Sequence, residues 1–244
     1  MRVQRASALI AAAAALAIAG GAPRQPLAAA LPRGRAHADL FDELYRRGQQ
    51  QNGNLRTFTA AFTETTTSTL LTRPLTARGT VIVERPGRVA LQYTAPDERL
   101  VLIDGDRMTL SWPSRGLKQT KDIGAAQRRV QKYFVNSSPD ELRGHFDVTA
   151  REAGDRPGYL VTLVPKRKQI KEGLTRLELW IDPQTLLLSA MSMAFPNGDT
   201  KLMTYTEVTP NAAVDPNLWR QLASATRPLP TRLVESVPRS YSAR

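Results

Sequence analysis

Residues 79–112 read GTVIVERPGRVALQYTAPDERLVLIDGDRMTLSW. Val81 and Val83 take one side of a first short strand over residues 79–84, and Pro86-Gly87 turns the chain. Val89, Leu91 and Tyr93 recur at every second position until Pro96 ends the run. Residues 100–103 form a third apolar stretch, and Asp104-Gly105 turns the chain again. Met108, Leu110 and Trp112 share one face beyond it. A period of two, broken by hairpin-sized turns, predicts an antiparallel meander.

The same period extends upstream. In TFTAAFTETTTST, residues 57–69, Phe58, Ala60 and Phe62 alternate with Thr57, Thr59, Ala61 and Thr63. Before it the period is helical. Leu40, Phe41, Leu44 and Tyr45 share one face, Asp39 is placed as the N-cap, and Asp42 and Glu43 lie in the first turn. That helix should stop near Asn52-Gly53. Downstream, Ile123, Ala126, Val130, Tyr133 and Phe134 form a helical stripe with Arg128, Arg129, Gln131 and Lys132 opposite. Ser138-Pro139-Asp140-Glu141 opens a second short helix with a capping box. Strands resume at residues 159–164. Residues 165–172 read as a basic loop carrying Lys166, Arg167, Lys168 and Lys171. Leu177, Leu179 and Ile181 alternate up to Asp182-Pro183. Residues 186–195 and 201–208 pair across Asn197-Gly198, a strong hairpin signal. The chain thus carries roughly ten antiparallel strands with one helical interruption, which implies a sheet curved into a barrel or half-barrel. Its inward rows contain Phe58, Phe62, Val81, Val83, Val89, Leu91, Tyr93, Met108, Leu110, Trp112, Leu177, Leu179, Met191 and Met193. Helices that plug such a sheet make this interior a core; helices that cover it leave an apolar cavity. Periodicity leaves both open.

The termini read differently. Arg2 and Arg5 precede an Ala-rich apolar run over residues 6–22, followed by small residues ending Ala28-Ala29-Ala30. This is the layout of a secretory signal peptide over residues 1–30, with cleavage points after Ala22 or after Ala30, of which Ala30 is taken as the boundary. Residues 31–38 are a Pro/Gly/Arg-rich leader. Residues 39–222 form one domain, and residues 223–244 a basic tail with little expected order. The expected place of the mature protein is the periplasm.

Composition narrows the function. The 244 residues carry 34 Lys+Arg against 22 Asp+Glu, a net charge of +12 that favours acidic partners. Export argues against nucleic acid. Cys is absent, and His37 and His145 are the two histidines. Disulfides, thiolate sites, a lipid-modified cysteine and the usual zinc hydrolase sets are therefore excluded. There is no G-x-S-x-G, no H-E-x-x-H and no Gly-rich phosphate loop. Asp104 and Asp106 belong to hairpin chemistry, and Asp140 and Glu141 to helix capping. No enzyme and no cofactor is expected.

In order along the chain, several short motifs resemble those of the LolA-type periplasmic lipoprotein carriers of Gram-negative bacteria. Phe58-Thr59-Ala60-Ala61-Phe62-Thr63-Glu64 is close to the family's F-x-A-x-F-T-Q, with Glu64 in place of Gln. Arg85-Pro86-Gly87-Arg88-Val89 is similar to its R-P-N/G-x-hydrophobic turn. Leu102-Ile103-Asp104-Gly105 resembles its hydrophobic-D-G turn, and residues 159–165 its L-x-L-x-P strand. Leu177-Glu178-Leu179-Trp180-Ile181-Asp182 and Asn197-Gly198-Asp199 complete the set. The resemblance spans residues 39–222.

It implies a mainly β (α+β) fold, an unclosed antiparallel barrel or strongly curved sheet with an α-helical lid. Face and lid would enclose an apolar cavity for lipoprotein acyl chains, lined by the inward rows together with Val130 and Phe134 of the helix. The family's lid-holding arginine falls on Arg85. Val89 and Leu91 stand where the family often has aromatics. The implied function is a monomeric carrier that moves lipoproteins from inner to outer membrane. Its implied partners are an ATP-driven inner-membrane exporter and an outer-membrane acceptor. The alternative is the same fold carrying a free lipid or glycolipid, or sensing lipid in an envelope-stress pathway. Lys166, Arg167 and Lys168 are the expected docking patch.

Overall fold

The structure, a computed structural model, describes residues 39–130, 137–215 and 217–224. The expected signal peptide, the leader, residues 225–244 of the tail, Phe134 and the side chain of Val130 lie outside the described residues.

Helix α1 (Leu40–Asn52) leads into β1 (Thr57–Thr67), β2 (Leu75–Glu84), β3 (Arg88–Ala95), β4 (Arg99–Asp104), β5 (Arg107–Trp112) and β6 (Leu117–Asp122). Two short helices follow, α2 (Gly124–Val130) and α3 (Pro139–His145). The second half is β7 (Phe146–Glu152), β8 (Tyr159–Pro165), a helical turn α4 (Lys168–Lys171), β9 (Arg176–Ile181), β10 (Leu188–Ala194), β11 (Thr200–Pro210) and α5 (Leu218–Ser224). All eleven strands form one sheet in the order β6-β5-β4-β3-β2-β1-β11-β10-β9-β8-β7, antiparallel throughout. The sheet is open, with β6 and β7 as its edges.

Two of these strands were not legible in the sequence. All six residues of β6 are exposed, and β7 buries only Phe146. An edge strand with no buried row shows no apolar alternation, and lysines such as Lys118 and Lys121 blunt such an edge against further pairing. The expected basic loop over residues 165–172 holds the turn α4 instead.

The topology explains where the helices lie. β1 to β6 step outward from β1 to one edge, and β7 to β11 step inward from the other edge to pair β11 with β1. The chain between β6 and β7 must therefore pass from one edge of the sheet to the other, and on that route Ile123 and Leu142 pack on one face. Phe41 and Leu44 of α1, Ile123 at the start of α2 and Leu142 of α3 join one core cluster with the inner rows of the strands. The outer face of β2, β3 and β4 is also buried. Ile82, Ala90, Leu100 and Leu102 pack there against Leu218, Trp219 and Leu222 of α5. That is why residues 81–83 and 100–103 are continuous apolar runs rather than alternating ones. Bulges between Thr59 and Ala61, Arg78 and Gly79, and Leu188 and Ala190 shift the ladders and add local twist.

Candidate functional site

The inner face begins as a row of aromatics on the central strands. Phe62 of β1, Gly79 of β2 and Tyr93 of β3 lie side by side in the ladder. With no side chain between them, the two rings meet edge to face with centroids 5.0 Å apart. Phe58 and Tyr205 make a second edge contact across β1 and β11, at 6.2 Å.

Helix α1 covers the part of this face formed by β7 to β9 and is tied at both ends. Asp39 caps it, accepting from Phe41 N–H. Arg143 of α3 pairs with Asp39 at 3.1 Å and Asp42 at 2.8 Å, and lies 5.4 Å from the centre of the Phe41 ring. Tyr45 Oη donates to the Ser137 carbonyl. At the other end Gln51 Nε2 donates to Gln184 O and Asn52 Nδ2 to Thr185 O, both in the turn between β9 and β10. Asp182 builds that turn by accepting from Gln184 N, Thr185 N and the Thr185 hydroxyl. Beneath α1 is a void of about 90 Å³, bordered by Phe41, Leu44, Leu142, Leu163, Leu179 and Ile181.

Arg85 follows the end of β2 and is half-buried. Burial holds its guanidinium below the ordinary arginine value. Its backbone N–H donates to Arg56 O. The turn it opens touches the next one, Gly105 N donating to Gly87 O. That second turn touches the start of α2, Ile123 N donating to Asp106 O and Gln127 Nε2 to Gly105 O. The turn that Arg85 opens is therefore linked to the start of α2 through the turn between β4 and β5.

The other end is polar. Glu64, on the parity of Phe58 and Phe62, is buried at 4% exposure, and Lys201, on the parity of Met203 and Tyr205, at 8%. Glu64 Oε1 pairs with Lys201 Nζ at 2.9 Å and more loosely with Arg99 at 3.6 Å. Glu64 Oε2 accepts from Tyr93 Oη at 2.7 Å. Burial, and then the Glu64 charge, push the Tyr93 hydroxyl well above its ordinary value, so it stays protonated and donates. Arg99 lies flat over the Tyr93 ring, 3.7 Å from its centre. These side chains line a cleft of about 320 Å³ together with Leu71, Leu75, Leu110, Trp112 and Phe195.

The expected site residues divide accordingly. Phe58, Phe62, Val81, Val83, Val89, Leu91, Tyr93, Met108, Leu177, Leu179, Met191 and Met193 are all buried in the inner-face cluster, with Leu110 packed against it. Tyr93, Leu110 and Trp112 reach the polar-end cleft. Of the basic patch, Lys166 pairs with Asp147 and donates to Arg143 O. Arg167 donates to His145 Nδ1, and Lys168 is exposed. Sequence reasoning missed the Glu64–Arg99–Lys201 cluster. Its signal was charge at core parity within strands otherwise apolar on that side. Among the described residues no group of three or more His, Asp or Glu converges as a metal site would require.

The family described as outer membrane lipoprotein carrier protein LolA matches residues 53–221. An outer-membrane lipoprotein carrier protein of Pseudomonas fluorescens (strain Pf0-1) is 27% identical over 179 residues, 73% of this chain and 83% of that protein. One from Pseudomonas entomophila (strain L48) is 27% identical over 145 residues, 59% of this chain and 69% of its own. Among solved structures, lipoprotein LppX of Mycobacterium tuberculosis overlaps with a TM-score of 0.43 at 12% identity, covering 71% of this chain and 96% of LppX.

Proposed function

We propose that this chain, which belongs to the LolA family of outer membrane lipoprotein carrier proteins, shields the acyl chains of lipoproteins against its inner face while they cross the periplasm from inner to outer membrane. The observation that carries the reading is the apolar inner face, whose rows come from most of the strands and against which α1 and α3 pack.

The energetics fit a carrier. Each methylene withdrawn from water is worth about 0.8 kcal/mol, so a multiply acylated anchor needs cover to travel. The void under α1, about 90 Å³, is well below the roughly 300–1,000 Å³ of pockets that engulf small ligands. Loading must therefore lift α1 and α3 from the sheet, and the cargo's chains replace their contacts. We assign Arg85 as the residue that holds the covering helices at the other end. A hydrogen bond to a charged group is worth about 1.5–3 kcal/mol, a size that suits a latch that cargo can open. Val89, Leu91, Val130 and Phe134 belong to the proposed chain-binding surface with the other inner-row residues. Lys166, Arg167 and Lys168 belong to a docking patch for the membrane-bound exporter or acceptor.

Native mass spectrometry of the protein purified from its own envelope tests the reading. An acylated polypeptide in the complex is the expected result. A free lipid in its place would overturn the lipoprotein assignment and leave a lipid carrier of the same fold.

A further inference from the structure

The polar end of the inner face is built from four strands. Glu64 comes from β1, Tyr93 from β3, Arg99 from β4 and Lys201 from β11. Tyr93 and Arg99 are cross-strand partners, and so are Thr66 and Lys201. The buried cluster holds two cations and one carboxylate. Replacing such a group by apolar side chains of similar volume is commonly neutral or stabilising. The rows that lead to it are apolar, so continuing them would have been the simpler core.

Its donors are not spent on Glu64. The Arg99–Glu64 separation of 3.6 Å is longer than a hydrogen bond, and Arg99 Nε is buried with no hydrogen-bond partner. Lys201 uses one of its three protons on Glu64 Oε1. The two rim carboxylates are engaged elsewhere, Asp97 with Arg115 and Asp199 with the Asn197 amide. Beside these donors the cleft is walled by Leu71, Leu75, Leu110, Trp112 and Phe195. Leu71 and Leu75 are themselves exposed, and neighbouring Leu70 is 89% exposed.

We propose that this cleft binds an amphiphile with one anionic head, a carboxylate or a phosphate monoester. The head lies on Arg99 Nε and Lys201 Nζ, and the alkyl chain runs along Leu71, Leu75, Leu110, Trp112 and Phe195. Glu64 and the Tyr93 ring hold the two cations in place for it. The proposal goes beyond the carrier reading: acyl chains in ester or amide linkage carry no anionic head, so this ligand is a second lipid class for the same inner face.

The test is displacement of a fluorescent fatty acid from the mature protein by dodecanoate, dodecyl phosphate, dodecanol and inorganic phosphate, all below micellar concentrations. Dodecanoate and dodecyl phosphate should bind at least about tenfold more tightly than dodecanol, and inorganic phosphate should not compete. Arg99→Gln and Lys201→Met should each bring the ratio of anion to alcohol affinity down to about one. Lys201→Arg, which keeps the charge, should preserve the preference and controls for misfolding. Equal binding of alcohol and anions would overturn the proposal. So would variants that leave their ratio unchanged, or inorganic phosphate competing as well as dodecyl phosphate. A triacylated lipopeptide with an amidated C-terminus separates the two readings. If it binds while the head-group ratio is one, this proposal falls and the carrier stands. If the ratio holds and the lipopeptide fails, the lipoprotein reading falls and the anionic cleft stands.

Discussion

Gly79 decides how closely the inner face packs. A Cβ there would stand 2.0 Å from Gln92 O and 2.9 Å from Phe62 Cζ. The first of these is backbone of the neighbouring strand, so relief requires breaking the β2–β3 ladder. Gly79→Ala should therefore lose about 2–3 kcal/mol of stability in urea unfolding. Gly87→Ala, where a Cβ meets nothing within 4 Å, should change it by less than about 0.5 kcal/mol. Equal stability of the two variants would show that the sheet yields at Gly79. Sequence reading placed Phe62 and Tyr93 on the inner face, since parity along a strand is local. It did not place them against each other, because that depends on which residue of β2 stands between them.

The turn between β9 and β10 works at the scale of the element, because it anchors the end of α1. Burial alone would raise the Asp182 pKa, but hydrogen bonds from Thr185 N–H, the Thr185 hydroxyl and Gln184 N–H outweigh it and hold it below the ordinary value. A carboxyl depressed in the folded state adds stability above its unfolded pKa of about 3.9. That contribution is lost as pH falls through the lower, folded pKa. Asp182→Asn should cost about 1 kcal/mol at pH 7. Melting curves from pH 6 to pH 2 should show the gap to wild type closing below about pH 4. A gap that stays constant would mean the ionised carboxylate contributes nothing there. The Asp182-Pro183 turn was visible in the sequence. Its grip on Gln51 and Asn52 was not, for these residues meet only when α1 crosses the face. The starts of α1 and α3 were legible, since the Asp39 cap and the Ser138–Glu141 capping box are satisfied within a few residues; α5, held by its packing on the outer face, was not.

At the scale of the whole molecule, opening is the property that matters. One end of the inner face carries Arg85, its neighbouring turn and the start of α2. The other end carries the Glu64–Lys201–Arg99 cluster and an exposed leucine-rich hairpin. If Arg85 holds the covering helices, Arg85→Leu should fold normally by circular dichroism but fail to release lipoproteins from inner-membrane vesicles. Wild-type release by the variant would remove the latch role and leave the fold unaffected. Lid and docking roles came from resemblance alone, because a single half-buried arginine or a run of three cations carries no signature of its own.

Local structure was readable from the amino-acid sequence alone. Alternation with a period of two marked the strands other than β6 and β7 and the face that their residues take. Gly, Pro and Asp set the turns, and capping residues set the helix starts. These follow from backbone geometry over a few residues and need no partner. Which strands are neighbours follows from the packed molecule: β11 returns to β1, and the edges fall at β6 and β7. From that pairing came the packing of α1 and α3 on the inner face. From it also came the meeting of Glu64, Tyr93, Arg99 and Lys201, which lie on four strands between residues 57 and 210. Non-local pairing is set by the summed burial of both faces and by the handing-over of every backbone hydrogen bond in the ladder, and neither quantity is contained in any one segment.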